Sequence, residues 1–316
     1  MDLVFEKNKK SVIKAQVCFV LPTFNEADNI RNIIEAIFDQ QVNVPDYQFK
    51  VLVVDDNSPD GTQQIVNQLI EKYDSLYLIT GEKNGLGNAY KKGFAYALET
   101  LNPDFIFQMD SDGQHDPQII PDFISQVNQG YSLVIGSRFI EGGATPEFSV
   151  RRKLISWLGN ILVRYIGGVR HIRDCTSGYR CISASYLKNC NFRFLSTQGY
   201  SFQSSLVCDL VAQGADCKEI PIVFSKRSFG NSKLSLKDQL EFIWNIPKLG
   251  FRTHKDFVKY SIVGFSGVLI NLGVYVFLTR YLGMMHEIAP ILSIEVSLLS
   301  KFMFNNFWTF IKRLIK

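Results

Sequence analysis

Through the first 140 residues, short apolar runs alternate with stretches in which apolar side chains return every three or four positions. The runs 17–21, 51–55, 77–80, 105–109 and 133–136 have the length and composition of strands buried between two helical layers. Between them, 27–40, 61–72, 86–101 and 117–128 carry a helical period. This alternation predicts an α/β fold built on a doubly wound sheet, whose ligand belongs beyond the carboxyl ends of the strands. After an irregular, Gly-rich stretch at 141–149 the pattern predicts an amphipathic helix over 151–165, a helix over 200–213 and a strand over 218–224. A polar, basic loop, 225–233, leads to 236–249, where Leu236, Leu240, Ile243 and Trp244 fall at helical spacing.

The C-terminal pattern is different. Residues 260–279 form a 20-residue run without charge, the length that spans a hydrocarbon core. A second run, 288–311, is interrupted by Glu295 and Lys301. Arg252, Lys255 and Lys259 precede the pair and Lys312, Arg313 and Lys316 follow it, so both outer ends are expected in the cytosol. Glu295 is expected to face the partner helix or another subunit, and Lys301 to snorkel outward. Gly264, Gly267 and Gly273 offer close-packing positions. The helix over 236–249 then reads as interfacial. The first residues, Met1 to Lys10, lack the apolar core of a signal peptide, which leaves the α/β part on the cytosolic side of a membrane. The expected divisions are an extension at 1–15, a catalytic domain at 16–234, a juxtamembrane region at 235–256 and a transmembrane hairpin at 257–316.

Composition adds exclusions. A net charge of +4 is too modest to imply a nucleic-acid partner. Six cysteines show no Cys-x-x-Cys spacing, so neither a zinc site nor a disulfide framework is indicated, and the thiols are expected buried in a reducing compartment.

The chemistry sits at strand ends. The 105–109 strand breaks into Asp110-Ser111-Asp112-Gly113-Gln114-His115, and the 51–55 strand into Asp55-Asp56-Asn57-Ser58-Pro59-Asp60-Gly61-Thr62. Hard oxygen donors at a rigid strand end suit Mg²⁺ or Mn²⁺ shared with a diphosphate. The second stretch imitates a calcium loop, but Asn67 stands where an EF-hand needs glutamate. Gly85-Leu86-Gly87 imitates a dinucleotide fingerprint, but Tyr90 replaces its third glycine.

Seven motifs occur in order: Leu21-Pro22-Thr23-Phe24-Asn25-Glu26, the Asp55 to Thr62 stretch, Gly85-Leu86-Gly87-x-Ala89-Tyr90, Asp110 to His115, Gly136-Ser137-Arg138-Phe139, Asp174-x-x-Ser177-Gly178-Tyr179-Arg180 and Arg227-x-x-Gly230-x-Ser232-Lys233. Together they resemble the family 2 glycosyltransferases of the dolichyl- and polyprenyl-phosphate hexose synthase group. The hairpin, with Gly264-x-x-Gly267 and Asn305-Asn306-x-Trp308-x-Phe310, is similar to half of a GtrA-like membrane domain. The resemblance implies a GT-A fold that moves a hexose from a nucleotide-diphosphate sugar to a membrane polyprenyl phosphate. It assigns Pro22, Phe24, Asn25, Glu26, Asp55, Asp56, Lys83, Gly87 and Ser111 to the nucleotide, and Asp110, Asp112 and Gln114 to the metal and diphosphate. It assigns Arg138, Arg152, Ser156, Arg227 and Lys233 to the acceptor phosphate. Asp112, Arg152 and Asp174 are the catalytic candidates, with Asp174 left open between base and orienter of arginine or sugar. Where many relatives carry glutamate, this chain has Ser205.

A phosphate nucleophile needs no strong base, since its second pKa is about 6, and the chain contains no Glu-Asp dipeptide and no Gln-x-x-Arg-Trp. GDP-mannose is the favoured donor and UDP-glucose the alternative. Two rivals remain: a transferase acting on a lipid hydroxyl, and an idle sugar-nucleotide-binding partner of a lipid-sugar flippase. The hairpin could also serve a homo-oligomer.

Overall fold

The computed structural model describes residues 15–190, 192, 201–225, 236–253 and 255–309. They divide into two compact units between Leu249 and Gly250. The first is built on a sheet of seven strands: β1 (Ala15–Thr23), β2 (Tyr47–Asp55), β3 (Leu76–Thr80), β4 (Phe105–Gln108), β5 (Leu133–Ser137), β6 (Arg180–Ser183) and β7 (Cys217–Pro221), in the order β3-β2-β1-β4-β6-β5-β7.

Strand alternation decides which helix layer each side chain meets. Val17, Phe19 and Leu21 of β1, with Phe49, Val51 and Val53 of β2, join one core cluster. Cys18, Val20, Leu52 and Val54 join the other. Helix α1 (Ala27–Asp39) buries Ile30, Ile33, Ile34 and Ile37 in the first cluster, a stripe at the helical period. Helices α2 (Thr62–Ile70) and α4 (Ile120–Asn128) contribute Val66, Leu69, Phe123 and Ile124 to the same cluster. Helices α3 (Leu86–Tyr96) and α7 (Ser201–Ala212) fill the second with Tyr90, Phe94, Phe202 and Leu206.

The sheet is not wholly parallel as a doubly wound pattern implies. β6 runs antiparallel between β4 and β5. Its four residues, Arg180-Cys181-Ile182-Ser183, form no apolar run, and only pairing on both sides makes them a strand. The short helix α6 (Ala184–Lys188) behind it was equally invisible. The helix expected to reach residue 101 loosens into a π turn over Ala97–Leu101, closed by Asn102 at φ 43°. The strand expected over 218–224 ends at Pro221, after which Val223 keeps a single bridge to Ala144.

Helix α5 (Val150–Ile166) starts at a Ser149 cap and leaves Leu154 and Trp157 60% and 56% exposed, beside exposed Arg151 and Lys153. Helix α8 (Leu236–Thr253) continues with Pro247 inside it. Two polar rungs tie α8 to α7: Ser201 Oγ donates to Glu241 Oε1 at 3.0 Å and Asn245 Nδ2 to Ser205 Oγ at 2.7 Å. Ser205, in the place of a glutamate, is thus a buried hydrogen-bond partner of α8.

The second unit pairs α9 (Lys255–Arg280) with α10 (Ala289–Phe304). Among the described residues α9 is the one helix long and apolar enough to cross a membrane, over Lys259–Arg280 at a mean hydropathy of 2.0. The 16 residues of α10 include Glu295 and Lys301. Of the three glycines expected to pack, only Gly267 does: the Lys301 stem lies across it and Ser297 Oγ donates to its carbonyl at 2.6 Å, whereas Gly264 and Gly273 have open space. Glu295 is exposed rather than turned onto α9.

Candidate active site

The carboxyl ends of β1, β2 and β4 bring the acidic motifs together. The loops after β1 and β2 are laced by hydrogen bonds: Asn25 N donates to Ser58 Oγ (2.9 Å), Glu26 N to Thr62 Oγ1 (3.1 Å) and Ala27 N to Asp60 Oδ2 (3.0 Å). Ser58, Asp60 and Thr62 therefore occupy amide donors at the start of α1, the orphan groups of any helix N-terminus. Asn25 and Asn57 make the two sharp turns at φ 56° and 53°.

Asp55, expected among the nucleotide contacts, is fully buried and accepts from Thr23 Oγ1 (2.9 Å), Ser58 N (2.8 Å), Ser58 Oγ (2.6 Å) and Gln63 Nε2 (2.7 Å). Four donors occupy its acceptor capacity, and through them Asp55 organises the turn. Its neighbour Asp56 is less enclosed, and burial pushes its carboxyl above the ordinary value against the pull of Lys92. Lys83 Nζ stands 3.4 Å above the Phe24 ring. Pro22 and Glu26 are buried beside them, and Gly87 lies in the first turn of α3. Ser111 Oγ donates to Pro22 O at 2.6 Å, joining the ends of β4 and β1.

Asp110, Asp112 and Gln114 line one cavity of about 450 Å³. Tyr90 OH donates to Asp110 Oδ1 at 2.7 Å, and Asp110 N to His115 Nδ1 at 3.0 Å. Gln114 Nε2 donates to Ser225 O at 2.8 Å, turning its amide oxygen the other way. The His115 ring stacks on Tyr179 at 4.8 Å, and burial pushes its imidazole down to about 4. Two carboxylates and an amide are hard donors. Among the described residues no three His, Cys, Asp or Glu side chains converge as a metal site. The set therefore fits a Mg²⁺- or Mn²⁺-type ion that a diphosphate also binds, rather than a closed protein cage.

Arg138, Arg152 and Ser156 line the same cavity. Arg138 is forked onto Asp174 through Nε (2.7 Å) and Nη2 (2.8 Å), with Nη2 also donating to Thr176 Oγ1 at 2.8 Å. Asp174 also accepts from the amides of Arg138 (3.0 Å) and Thr176 (3.3 Å) and is wholly buried. Burial alone raises its carboxyl, but the Arg138 charge and these bonds hold it below the ordinary value. In this geometry Asp174 holds the Arg138 guanidinium in place. Arg152 lies 3.8 Å over the Phe148 ring. Arg227 and Lys233 fall outside the described residues.

Sequence reasoning left Tyr90, His115 and Gln203 without roles and overlooked the apolar wall of the cavity, made by Phe148, Ile155, Leu158, Leu162, Phe242 and Ile243. A usable signal lay beside Gln203: its partner Gln108 is a polar residue inside the apolar run 105–109.

Residues 18–190 match the family described as Glycosyl transferase family 2, and residues 259–314 match the GtrA/DPMS, transmembrane domain. The chain belongs to glycosyl transferase family 2, and it is a glycosyltransferase with a GT-A-like mixed sheet and a membrane-associated C-terminal region. The dolichol-phosphate mannosyltransferase of Pyrococcus furiosus is 33% identical over 301 residues, 93% of this chain and 81% of that protein. The polyprenol monophosphomannose synthase of Mycolicibacterium smegmatis is 32% identical over 239 residues, 75% of this chain and 88% of that protein. In fold, the glucosyl-3-phosphoglycerate synthase of Mycobacterium tuberculosis, solved with Mn²⁺ and UDP-Glc, aligns at a TM-score of 0.54 and 16% identity, over 76% of this chain and 79% of that one.

Proposed function

We propose that the chain transfers a hexose, mannose foremost, from a nucleotide-diphosphate sugar to a polyprenyl phosphate at the cytosolic face of a membrane. The observation that carries this is the mixed lining of one cavity: Asp110, Asp112 and Gln114 share it with Arg138, Arg152 and Ser156 and with the apolar Leu158, Leu162, Phe242 and Ile243. The ionic lining suits two phosphate groups and the apolar lining suits an isoprenoid tail. The exposed Leu154 and Trp157 of α5, flanked by Arg151 and Lys153, supply a surface that an acidic bilayer attracts. Relatives named for mannose transfer support GDP-mannose over UDP-glucose as the donor of this chain.

In this reading Asp110, Asp112 and the Gln114 amide hold the ion, which when bound stabilises charge on the departing diphosphate. The anomeric C–O bond to the nucleoside diphosphate breaks as a lipid phosphate oxygen forms the new bond from the opposite face. Arg138 and Arg152 offset the repulsion between two anions, and Asp174 keeps the Arg138 fork aimed. No proton has to be removed from a phosphate already ionised near neutrality. Asp56, Lys83, Phe24 and the buried Pro22 and Glu26 hold the nucleoside, Ser111 and Gly87 border it, and Arg227 and Lys233 complete the acceptor end. The catalytic domain spans 16–234, followed by the juxtamembrane region at 235–256 and the hairpin at 257–316. A homo-oligomer or flippase partner at the hairpin remains a proposal of the same kind.

The test is radiolabel transfer from GDP-mannose and UDP-glucose to polyprenyl phosphate and to the matched polyprenol. Transfer to the phosphate only, abolished by EDTA and by Asp112→Ala, is expected. Equal turnover of the free alcohol would overturn the phosphate-nucleophile reading.

A further inference from the structure

Gln203 lies on α7, is 3% exposed, and lines the cavity next to Asp110 and Gly178. Its amide has a fixed orientation. Arg180, fully buried on β6, donates from Nη1 to Gln203 O at 2.8 Å and to Gln203 Oε1 at 3.3 Å, and the buried Gln108 Nε2 donates to the same Oε1. A flipped amide would set its NH₂ against the arginine's N–H groups, so the oxygen must face Arg180. The NH₂ is thereby turned to the opposite side, where it donates to no group among the described residues.

That side belongs to the cavity. A β-carbon at residue 178 would stand 3.3 Å from Gln203 Nε2 and 3.1 Å from Asp110 Oδ2. The two polar atoms thus converge over the face of Gly178, and any side chain there would fill the space between them. A donor N–H and a carboxylate oxygen facing one space match a hydroxyl, which accepts from the first and donates to the second. Asp110 belongs to the motif that holds the donor's diphosphate in the site reading above, on which this step rests, and the sugar is joined directly to that diphosphate.

We infer that Gln203 is a substrate-contacting residue whose amide, set by the buried Arg180, donates a hydrogen bond to one hydroxyl of the transferred hexose. Recognition of the sugar then has a component separate from recognition of the nucleotide.

The experiment uses the full-length protein in detergent, with Gln203→Met to remove the amide and Gln203→Glu to keep the oxygen that Arg180 and Gln108 address. Binding of free nucleoside diphosphate with Mn²⁺ is measured by calorimetry. Transfer is measured with whichever of GDP-mannose and UDP-glucose the wild type uses, and with the same donor lacking one hydroxyl at a time. Gln203→Met should lose about three- to tenfold in donor kcat/KM while nucleoside-diphosphate affinity changes less than about twofold; Gln203→Glu, which sets a second carboxylate beside Asp110, should lose at least as much in kcat/KM. One deoxy donor should be handled alike by wild type and Gln203→Met, because the missing partner costs nothing twice. Should Gln203→Met fail to fold, the Gln203→Glu comparison carries the test. A parallel loss of nucleoside-diphosphate affinity would place Gln203 behind the ion site instead, and equal, additive losses on every deoxy donor would remove the hydroxyl contact. A wild type inactive with both donors would count against the proposed donor class, while unchanged donor kcat/KM in an active variant would overturn this inference alone.

Discussion

At the scale of single residues, the site separates polar groups whose bonds are complete from those left with capacity toward a ligand. Asp55 and Asp174 are both wholly buried and saturated, one by its turn and one by Arg138. Their neighbours Asp56 and Arg138 are the groups that reach outward. His115 is nearly as enclosed as Asp55 and Asp174, yet its buried Nε2 finds no hydrogen-bond partner among the described residues, and the consequence is a pH dependence of stability. Its imidazole titrates at about 4 in the folded chain and at about 6.5 when unfolded. Between those values the unfolded chain binds a proton that the native chain refuses, so stability falls as pH is lowered through the window. The loss reaches at most roughly 3 kcal/mol by pH 4 and is absent above about 6.5. In metal-free protein, His115→Gln should flatten the fall of the unfolding midpoint between pH 6.5 and 4.5; an unchanged slope would show that other groups govern it.

At the scale of elements, what mattered was how one segment meets another. The β1 and β2 runs were legible because the doubly covered stretches 17–21 and 51–54 are continuously apolar. β6 was not, because Arg180 and Ser183 bracket two residues that pair with β4 and β5, and pairing leaves no mark on so short a segment. The same holds for glycines on α9. Gly264, Gly267 and Gly273 are equivalent in a packing motif, yet only Gly267 meets α10. Gly267→Leu should therefore force the Lys301 stem aside and break the fit, costing about 1–3 kcal/mol, whereas Gly273→Leu should be nearly neutral. Thermal unfolding in detergent separates the two, and equal effects would contradict the observed pairing.

At the scale of the whole molecule, the cavity and its described lining lie in the first unit, before Leu249, and the apolar helix lies in the second. Residues 1–253, which retain α8 and its two rungs to α7, should bind nucleoside diphosphate with Mn²⁺ as the full chain does. Transfer to a long polyprenyl phosphate in vesicles should drop by at least about tenfold, while transfer to a short, water-soluble isoprenyl phosphate should be largely kept. Loss of nucleotide binding by a folded truncation would show that the site needs the second unit.

The strands of the sheet's first half, the order of the motifs, the grouping of Asp110, Asp112 and Gln114 behind one strand and the apolar helix were all legible in the chain, because each is written in contiguous residues or in local periodicity. The tertiary structure alone decided that Asp55 and Asp174 are consumed within the protein, that Arg180 orients Gln203, and that Phe242 and Ile243 of α8 complete a cavity begun by β4 and α5. A carboxylate's chemistry is the same in any sequence; whether it meets a ligand depends on how many donors the fold has already turned toward it.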